Sequence, residues 1–298
     1  MTSERSRVAI VIPVHNRRET TLRCLRSLAR IDRTGFDLST IVVDDGSTDG
    51  TSAAIREQFP EVTLIRGDGS LHYAAGTNRG IAAALEANVD FIVTMNDDSV
   101  FHDQFLQRML STARTHPRSI VGALLLLWNE PDKVFQVGQR WETTKGGWQF
   151  PIDWTAFSVP QTAFEVECIV GNCVMFPADA VRECGLMDEK RFPHGWGDAQ
   201  YLVKMRESGW KLIIEPTAYV WCEPNTYPPP LDTQPVGRIM QILFTDEKDP
   251  RNLKRQFVAR WYSAPSKPAA VAAFMFYLAD LMGKAVGLGR HEKQNVSA

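Results

Sequence analysis

Short apolar runs alternate with amphipathic stretches along residues 1–118. Val8–Ile12, Thr40–Val43, Val62–Ile65 and Phe91–Met95 are β-rich runs of strand length. Between them, Glu19–Arg30 carries Leu22, Leu25 and Leu28 at helical spacing. Asp49 or Thr51 caps a second helix that runs to Gln58, Thr77–Ala87 forms a third, and a fourth runs from Asp103 to about Thr115. This β-α-β-α-β-α-β rhythm with short connections predicts an α/β fold with a doubly wound, mostly parallel sheet of the nucleotide-binding kind. No Gly-x-Gly-x-x-Gly follows the first strand, so a dinucleotide site is not expected.

The second half is less regular. Ile120–Trp128 and Val134–Trp141 read as strands, Lys145–Pro160 as a mobile loop, and Glu165–Phe176 as strand-like around Gly171-Asn172. A helix begins on Asp198 and ends at Ser208 with Gly209 just beyond it. Lys211–Glu215 and Tyr219–Cys222 are further strands, and three helices follow the break at Pro224–Pro230. No internal repeat is present in the sequence.

Length and charge narrow the function. A chain of 298 residues can bury a full core. Its formal charge of −2 gives no reason to expect nucleic acid as a partner. The charge is uneven: from Pro250 onward eight basic residues face two acidic ones, a net +6 against −8 for the remainder. The five cysteines lack Cys-x-x-Cys spacing and suit reduced thiols rather than a disulfide framework or a zinc site. The first apolar stretch, Val8–Val14, has strand length and is broken by Pro13, so neither a signal peptide nor a membrane span is expected. The expected location is the cytoplasm.

The chemistry gathers at strand ends. Phe91–Met95 runs into Asn96-Asp97-Asp98, and the carboxyl lip of an open α/β sheet is where ligands bind. Adjacent carboxylates there suit a hard divalent cation that holds a diphosphate, although a solvated turn with an N-cap uses the same residue types. The second strand ends Asp44-Asp45-Gly46-Ser47-Thr48-Asp49-Gly50-Thr51. A carboxylate there can accept from a base N–H or a ribose hydroxyl, and an ordinary Asx turn would read alike. Taken alone, His15 suits a structural histidine.

The ordered set Val11-Ile12-Pro13-Val14-His15-Asn16-Arg17, Val42-Val43-Asp44-Asp45-Gly46-Ser47 and Asn96-Asp97-Asp98 resembles the family 2 inverting glycosyltransferases of GT-A type. Gly171-Asn172-Cys173, Gly185-Leu186-Met187-Asp188-Glu189, His194-Gly195-Trp196-Gly197-Asp198, Gly209-Trp210-Lys211 and Val220-Trp221-Cys222 extend the match over roughly residues 6–225. The resemblance implies a GT-A catalytic domain over 1–230, with a nucleotide-sugar half at 1–118 and an acceptor half at 119–230, and a helical extension over 231–298. It implies that Pro13 and His15 line the base, that Asp45 pairs with base or ribose, and that Asn96 and Asp97 contact the donor. Asp98 would then ligate Mn²⁺ or Mg²⁺. The segment Gly67–Tyr73, with Asp68, is similar to a donor-proximal loop of polysaccharide-assembling members.

Inverting transfer needs a carboxylate to take the acceptor's proton, and the resemblance gives that role to Asp198. A plain N-cap is the competing role for Asp198. Trp196 and Gly197 fall to the acceptor, with the indole offering a flat face to a sugar. Members of the family often carry a histidine metal ligand where this chain has Cys222. A neutral thiol is a poor partner for either cation, so Asp98 with diphosphate and water, or His194, would complete the shell.

Ala269–Leu288 places Val271, Phe274, Met275, Leu278 and Leu281/Met282 on one face. Such a helix packs on the catalytic domain or a second subunit of a homo-oligomer, or rests on anionic lipid as a peripheral membrane contact at the cytoplasmic face. The function implied is metal-dependent, inverting transfer of a hexose or deoxyhexose from dTDP-rhamnose or a UDP-hexose to a growing, lipid-linked surface glycan such as O-antigen. A catalytically silent sugar-nucleotide-binding scaffold and a sugar nucleotidyltransferase are the alternatives.

Overall fold

The computed structural model describes residues 5–151, 153–169, 171–193, 195–225 and 228–285. They divide into two compact units, one within Met1–Gln139 and Phe150–Pro224, the other within Arg140–Gln149 and Asn225–Ala298. In chain order the strands are β1 (Ser6–Val14), β2 (Phe36–Asp44), β3 (Thr63–Arg66), β4 (Phe91–Thr94), β5 (Ser99–Phe101) and β6 (Ser119–Leu127). Then come β7 (Val134–Gln136), β8 (Arg140–Glu142), β9 (Gly147–Gln149), β10 (Phe164–Glu165), β11 (Val174–Pro177) and β12 (Lys211–Cys222). The helices are α1 (Arg18–Leu28), α2 (Thr51–Gln58), α3 (His72–Glu86), α4 (Phe105–Thr115), α5 (Ala178–Cys184), α6 (Gly197–Glu207), α7 (Val236–Phe244), α8 (Leu253–Ser263) and α9 (Lys267–Ala285).

The first unit is a mixed α/β layer structure on one sheet ordered β10-β12-β6-β11-β4-β1-β2-β3. β1, β2, β3 and β4 are mutually parallel, as are β6 and β12, whereas β11 runs antiparallel to both β4 and β6. Register then decides what meets at the lip. Val14 pairs with Asp44, Val11 with Thr94, Thr94 with Val174, and Leu127 with Cys222. The carboxyl ends of the parallel strands and the start of β11 therefore share one edge.

β1 is buried on both faces, which explains its unbroken apolar run. Ile10 and Ile12 face Leu22, Leu25, Ile55, Phe105 and Met109 of α1, α2 and α4. Ala9 and Val11 face Ile81, Val181, Tyr201 and Leu202 of α3, α5 and α6. A Cβ at Gly80 would stand 2.2 Å from Val11 Cγ1, so α3 lies directly on β1.

Several elements depart from the apolar pattern. α3 begins at His72 rather than Thr77, with His72 at φ 56. The run Val134–Trp141 splits into β7 and β8 around Gly138, where a Cβ would meet Val166 at 2.2 Å. The run Glu165–Phe176 is two strands, because β10 pairs at the β12 edge and β11 inserts between β4 and β6. Lys211–Cys222 is one strand with an irregularity between Glu215 and Tyr219. Part of the expected Lys145–Pro160 loop is β9, paired with β8 and holding Trp141 and Trp148 edge to face at 5.3 Å.

In the second unit, α7, α8 and α9 enclose Leu231, Ile242, Leu281 and Tyr277. Arg260, nearly buried, lies 4.4 Å over the Tyr277 ring and donates from Nε to the Gly146 carbonyl at 2.7 Å, which ties the β8–β9 hairpin to the helices. Among the described residues no helix is long and apolar enough to cross a membrane.

Replacing Gly by Ala inside an exposed helix stabilises it by up to about 1 kcal/mol. At Gly80 the close approach of Val11 reverses the sign. Gly80→Ala is expected to destabilise the protein by about 1–3 kcal/mol, read as a lower denaturant midpoint at unchanged slope.

Candidate functional site

Asp44 and Asp45 have different work. Asp44 is fully buried; its Oδ1 accepts from Ser47 N at 2.9 Å and its Oδ2 accepts from the Ser52 hydroxyl, closing the turn into α2. Asp45, 6% exposed, accepts three backbone N–H groups, from Gly69 at 2.8 Å and from Leu71 and His72 at 3.0 Å. The Gly67–His72 loop is thus moulded around one carboxylate. Gly46 and Gly67 permit the approach, since a Cβ on them would lie 2.7 Å from Gly69 N and 2.6 Å from Asp45 Oδ1. His15 Nδ1 donates to the Asp45 carbonyl at 2.6 Å, and its Nε2 faces the Asn16 amide at 3.0 Å. Those two partners assign the Nδ1–H tautomer. Pro13 lies beneath, 3.3 Å from where a Gly76 Cβ would be. Asp68 is exposed and held by Ser70, whose hydroxyl lowers its pKa.

At the end of β4, the Asn96 N–H donates to Asn172 Oδ1 at 2.9 Å. Asp97, 3% exposed, accepts from the Thr21 hydroxyl at 2.8 Å and lies 3.3 Å from Arg17. Burial still dominates over Arg17 and Thr21 and pushes the Asp97 pKa up to about 6. Arg17 also lies 3.6 Å from Asp98 and 3.7 Å from Glu223, and Arg23 pairs with Glu223 on the other side. Burial raises the Asp98 pKa as well, with Arg17 opposing it.

Gly171 and Asn172, which lead into β11, join this triplet to α6. The Asn172 carboxamide takes the Asn96 N–H through Oδ1 and donates through Nδ2 to Ser99 Oγ and Cys222 Sγ, each at 3.3 Å. Gly171 N donates to Asp198 Oδ2 at 3.0 Å, and a Cβ at Gly171 would lie 2.2 Å from that oxygen. The Tyr73 hydroxyl donates to the Gly171 carbonyl at 3.3 Å. Burial raises the Tyr73 pKa, and Asp198 and Asp98 both raise it further, so the two carboxylates act on one phenol. Asp198 is the second residue of α6 rather than its N-cap; Trp196, at φ 67, occupies the cap position without a side-chain cap bond. Burial raises the Asp198 pKa against the N–H groups of Ala199 and Gly171. Gly197 is buried against Phe192. His194 lies outside the described residues.

These donors suit a divalent cation shared with a substrate. Asp98 Oδ1 is buried and has no hydrogen-bond partner among the described residues. Cys222 is 1% exposed, accepts the Asn172 amide, and has its thiol pKa pushed up to about 12 chiefly by burial, so it offers no thiolate. Among the described residues no group of three or more His, Cys, Asp or Glu forms a cation cage. Mg²⁺ is commonly held by one or two carboxylates plus substrate phosphates and water, and Asp98 fits that pattern.

Arg17, Thr21, Tyr73, Asn172 and Glu223 escaped assignment from sequence. Asn172 had the clearest signal, a Gly-Asn pair inside an apolar run; the others meet only through the fold.

A carboxylate whose folded pKa is raised stabilises the fold below its unfolded pKa and loses that contribution as pH rises through the folded value. Asp97→Asn is therefore expected to stabilise the ligand-free protein near pH 7.5 by about 1–3 kcal/mol. That gain should vanish toward pH 4, which thermal denaturation across this range would show.

The sequence profile of glycosyl transferase family 2 matches residues 9–185. An N-acetylglucosaminyl-diphospho-decaprenol L-rhamnosyltransferase of Mycobacterium tuberculosis is 26% identical over 205 residues, which span 61% of this chain and 66% of that protein. Glycosyltransferase AglE of Haloferax volcanii is 29% identical over 125 residues, 41% of this chain and 40% of its own length. Among solved structures, GalNAc-T7 with UDP, GalNAc and Mn²⁺ superposes with a TM-score of 0.62 at 14% identity, covering 94% of this chain and 58% of that one. S. aureus TarS 1–349 in complex with UDP-GlcNAc gives 0.55 at 12% identity, covering 96% and 74%. The fold is that of the GT-A glycosyltransferases, and the chain belongs to glycosyl transferase family 2.

Proposed function

We propose that this protein transfers a sugar, with inversion, from a nucleotide diphosphate sugar to a glycan carried on a lipid diphosphate. The observation that carries the proposal is the meeting of Asp98 and Asp198 around Tyr73 and the Gly171-Asn172 pair. The donor is dTDP-rhamnose or a UDP-hexose. Preference for dTDP-rhamnose and for a diphosphate-linked lipid acceptor draws on the rhamnosyltransferase relative and on the Gly67–Tyr73 loop.

Each residue then has a task. Pro13 and His15 lie beside the base. Asp45 has about four acceptor directions, three of them spent on the Gly67–His72 loop, which leaves one for base or ribose. Asn96 and Asp97 face the donor's ribose or sugar. Mn²⁺ or Mg²⁺ on Asp98 would offset the charge that develops on the departing diphosphate. Asp198 accepts the proton of the acceptor hydroxyl as that oxygen attacks the anomeric carbon and the carbon–oxygen bond to the diphosphate breaks. Its raised pKa makes it a stronger base than an exposed carboxylate, and Gly171 N–H fixes its orientation. Trp196 and Gly197 lie at the start of α6 beside Asp198, where the acceptor sugar would sit.

The second unit supports action at the cytoplasmic face of a membrane. On α7, Val236, Met240 and Phe244 fall at i, i+4 and i+8 and are exposed, as are Val271, Met275 and Met282 on α9. A repeated exposed apolar stripe suits an interfacial helix.

Asp198→Asn is expected to lower kcat by about 10²–10⁴ with donor affinity retained, and Asp98→Ala to abolish cation-dependent donor binding. A screen of dTDP- and UDP-sugars with calorimetry and turnover checks both. Donor binding without turnover in the unaltered protein, across all acceptors, would support the silent scaffold instead. For the membrane contact, Met240→Glu/Phe244→Glu should cut co-flotation with anionic vesicles at least tenfold, in line with about 1.5–3 kcal/mol for each buried side chain. Absence of flotation by the unaltered protein would contradict it.

A further inference from the structure

A cleft of about 420 Å³ opens between α1 and β5. That volume lies within the range of small-ligand sites. Its floor is apolar, with Ile31, Val100 and Phe101, while Arg23, Arg26 and Arg30 line it from α1 and the turn after it. Asp103 is its one acidic lining residue, and that carboxylate lies 2.8 Å from His102 Nδ1. Trp128 forms a wall and is 43% exposed, with the Arg23 guanidinium 5.1 Å over its ring.

Basic residues at a helix C-terminus are ordinarily explained by the macrodipole. It accounts for Arg26 in the last turn of α1, but it gives neither Arg26 nor Arg30 a charged partner. Among the described residues Arg26 reaches only an uncharged partner, Gln58 Oε1 at 2.9 Å. The Arg30 side chain makes no hydrogen bond or ion pair among the described residues. Two guanidinium groups thus face a cleft whose lining carboxylate, Asp103, forms no ion pair with either of them among the described residues, next to an exposed indole and an apolar floor. The chemistry that satisfies all three is an anionic phosphate group attached to a sugar or prenyl body.

The cleft also joins the candidate site. Arg23 pairs with Glu223, Glu223 lies 3.7 Å from Arg17, and Arg17 lies 3.6 Å from Asp98; Trp128 N donates to the Cys222 carbonyl at 2.9 Å. We infer that this cleft holds the diphosphate of the lipid-linked acceptor, with Arg26 and Arg30 as the phosphate ligands and Trp128 as the stacking wall. The inference rests on the lipid-diphosphate acceptor proposed above. It assigns the donor diphosphate to Asp98 and the acceptor diphosphate to α1.

The test measures KM for two acceptors with the same saccharide, one on a short water-soluble prenyl diphosphate and one on a neutral alkyl chain. The unaltered protein should prefer the diphosphate acceptor at least tenfold. Arg26→Gln/Arg30→Gln should raise its KM by about the size of that preference, on the order of tenfold, erase the preference, and leave donor KM and kcat unchanged. Arg26→Lys/Arg30→Lys should recover part of the loss, and Trp128→Ala should raise KM for both acceptors. A preference that survives in the Gln variant overturns the cleft assignment while leaving the lipid-diphosphate acceptor standing. A rise in donor KM instead would reassign the cleft to the donor and overturn the inference. Equal KM values in the unaltered protein overturn the acceptor class and the inference with it.

Discussion

Strand β11 runs against β4 and β6, and Gly171 and Asn172, which precede it by a single residue, arrive at the lip where the parallel strands end. The candidate site depends on that reversal. One carboxamide binds the triplet after β4 and the end of β12, while the neighbouring N–H holds Asp198 of α6. The absence of a side chain on residue 171 is a geometric requirement, since a Cβ would overlap the Asp198 carboxylate. Elements separated by some hundred residues in sequence are thereby fixed in one frame, in keeping with ligand sites at the carboxyl edge of open α/β sheets.

Charge is the second constraint. Asp97, Asp98 and Glu223 crowd around Arg17, and burial opposes ionisation of Asp97 and Asp98 despite that guanidinium. Asp98 Oδ1 is left without a partner among the described residues. Buried polar atoms are rarely left so, and a cation or substrate group arriving at the lip would satisfy this one. The arrangement is costly for the fold alone and suited to a cation and diphosphate arriving together.

The parallel half of the sheet was legible in the sequence because β1, most of β4 and the last four residues of β2 are buried and read as continuous apolar runs. The lip carboxylates Asp45, Asp97 and Asp98 were legible for the same reason, since polar residues end each run abruptly. By residue type alone Asp44 and Asp45 are equivalent, and the family resemblance singled out Asp45; the turn into α2 and the loop around Gly69 supply the physical difference between a structural carboxylate and one that shapes the site. The region from Val134 to Phe176 was not legible, because edge strands of two or three residues carry too few positions to show a period. Arg17, Thr21 and Tyr73 acquire meaning only through partners far along the chain. The basic cleft escaped because Arg23, Arg26 and Arg30 look like a solvated helix face until the fold brings Trp128 against Arg23 and into the same cleft.

The central claim is a single displacement in which Asp198 deprotonates the acceptor while the diphosphate leaves from the opposite side. NMR of the glycan formed in the first turnovers tests it most directly, through the one-bond carbon–proton coupling at the anomeric centre of the new linkage. An anomeric configuration opposite to that of the donor sugar is the predicted result. Retention of the donor's configuration would contradict the account, because a single displacement from the face opposite the departing diphosphate inverts the anomeric carbon.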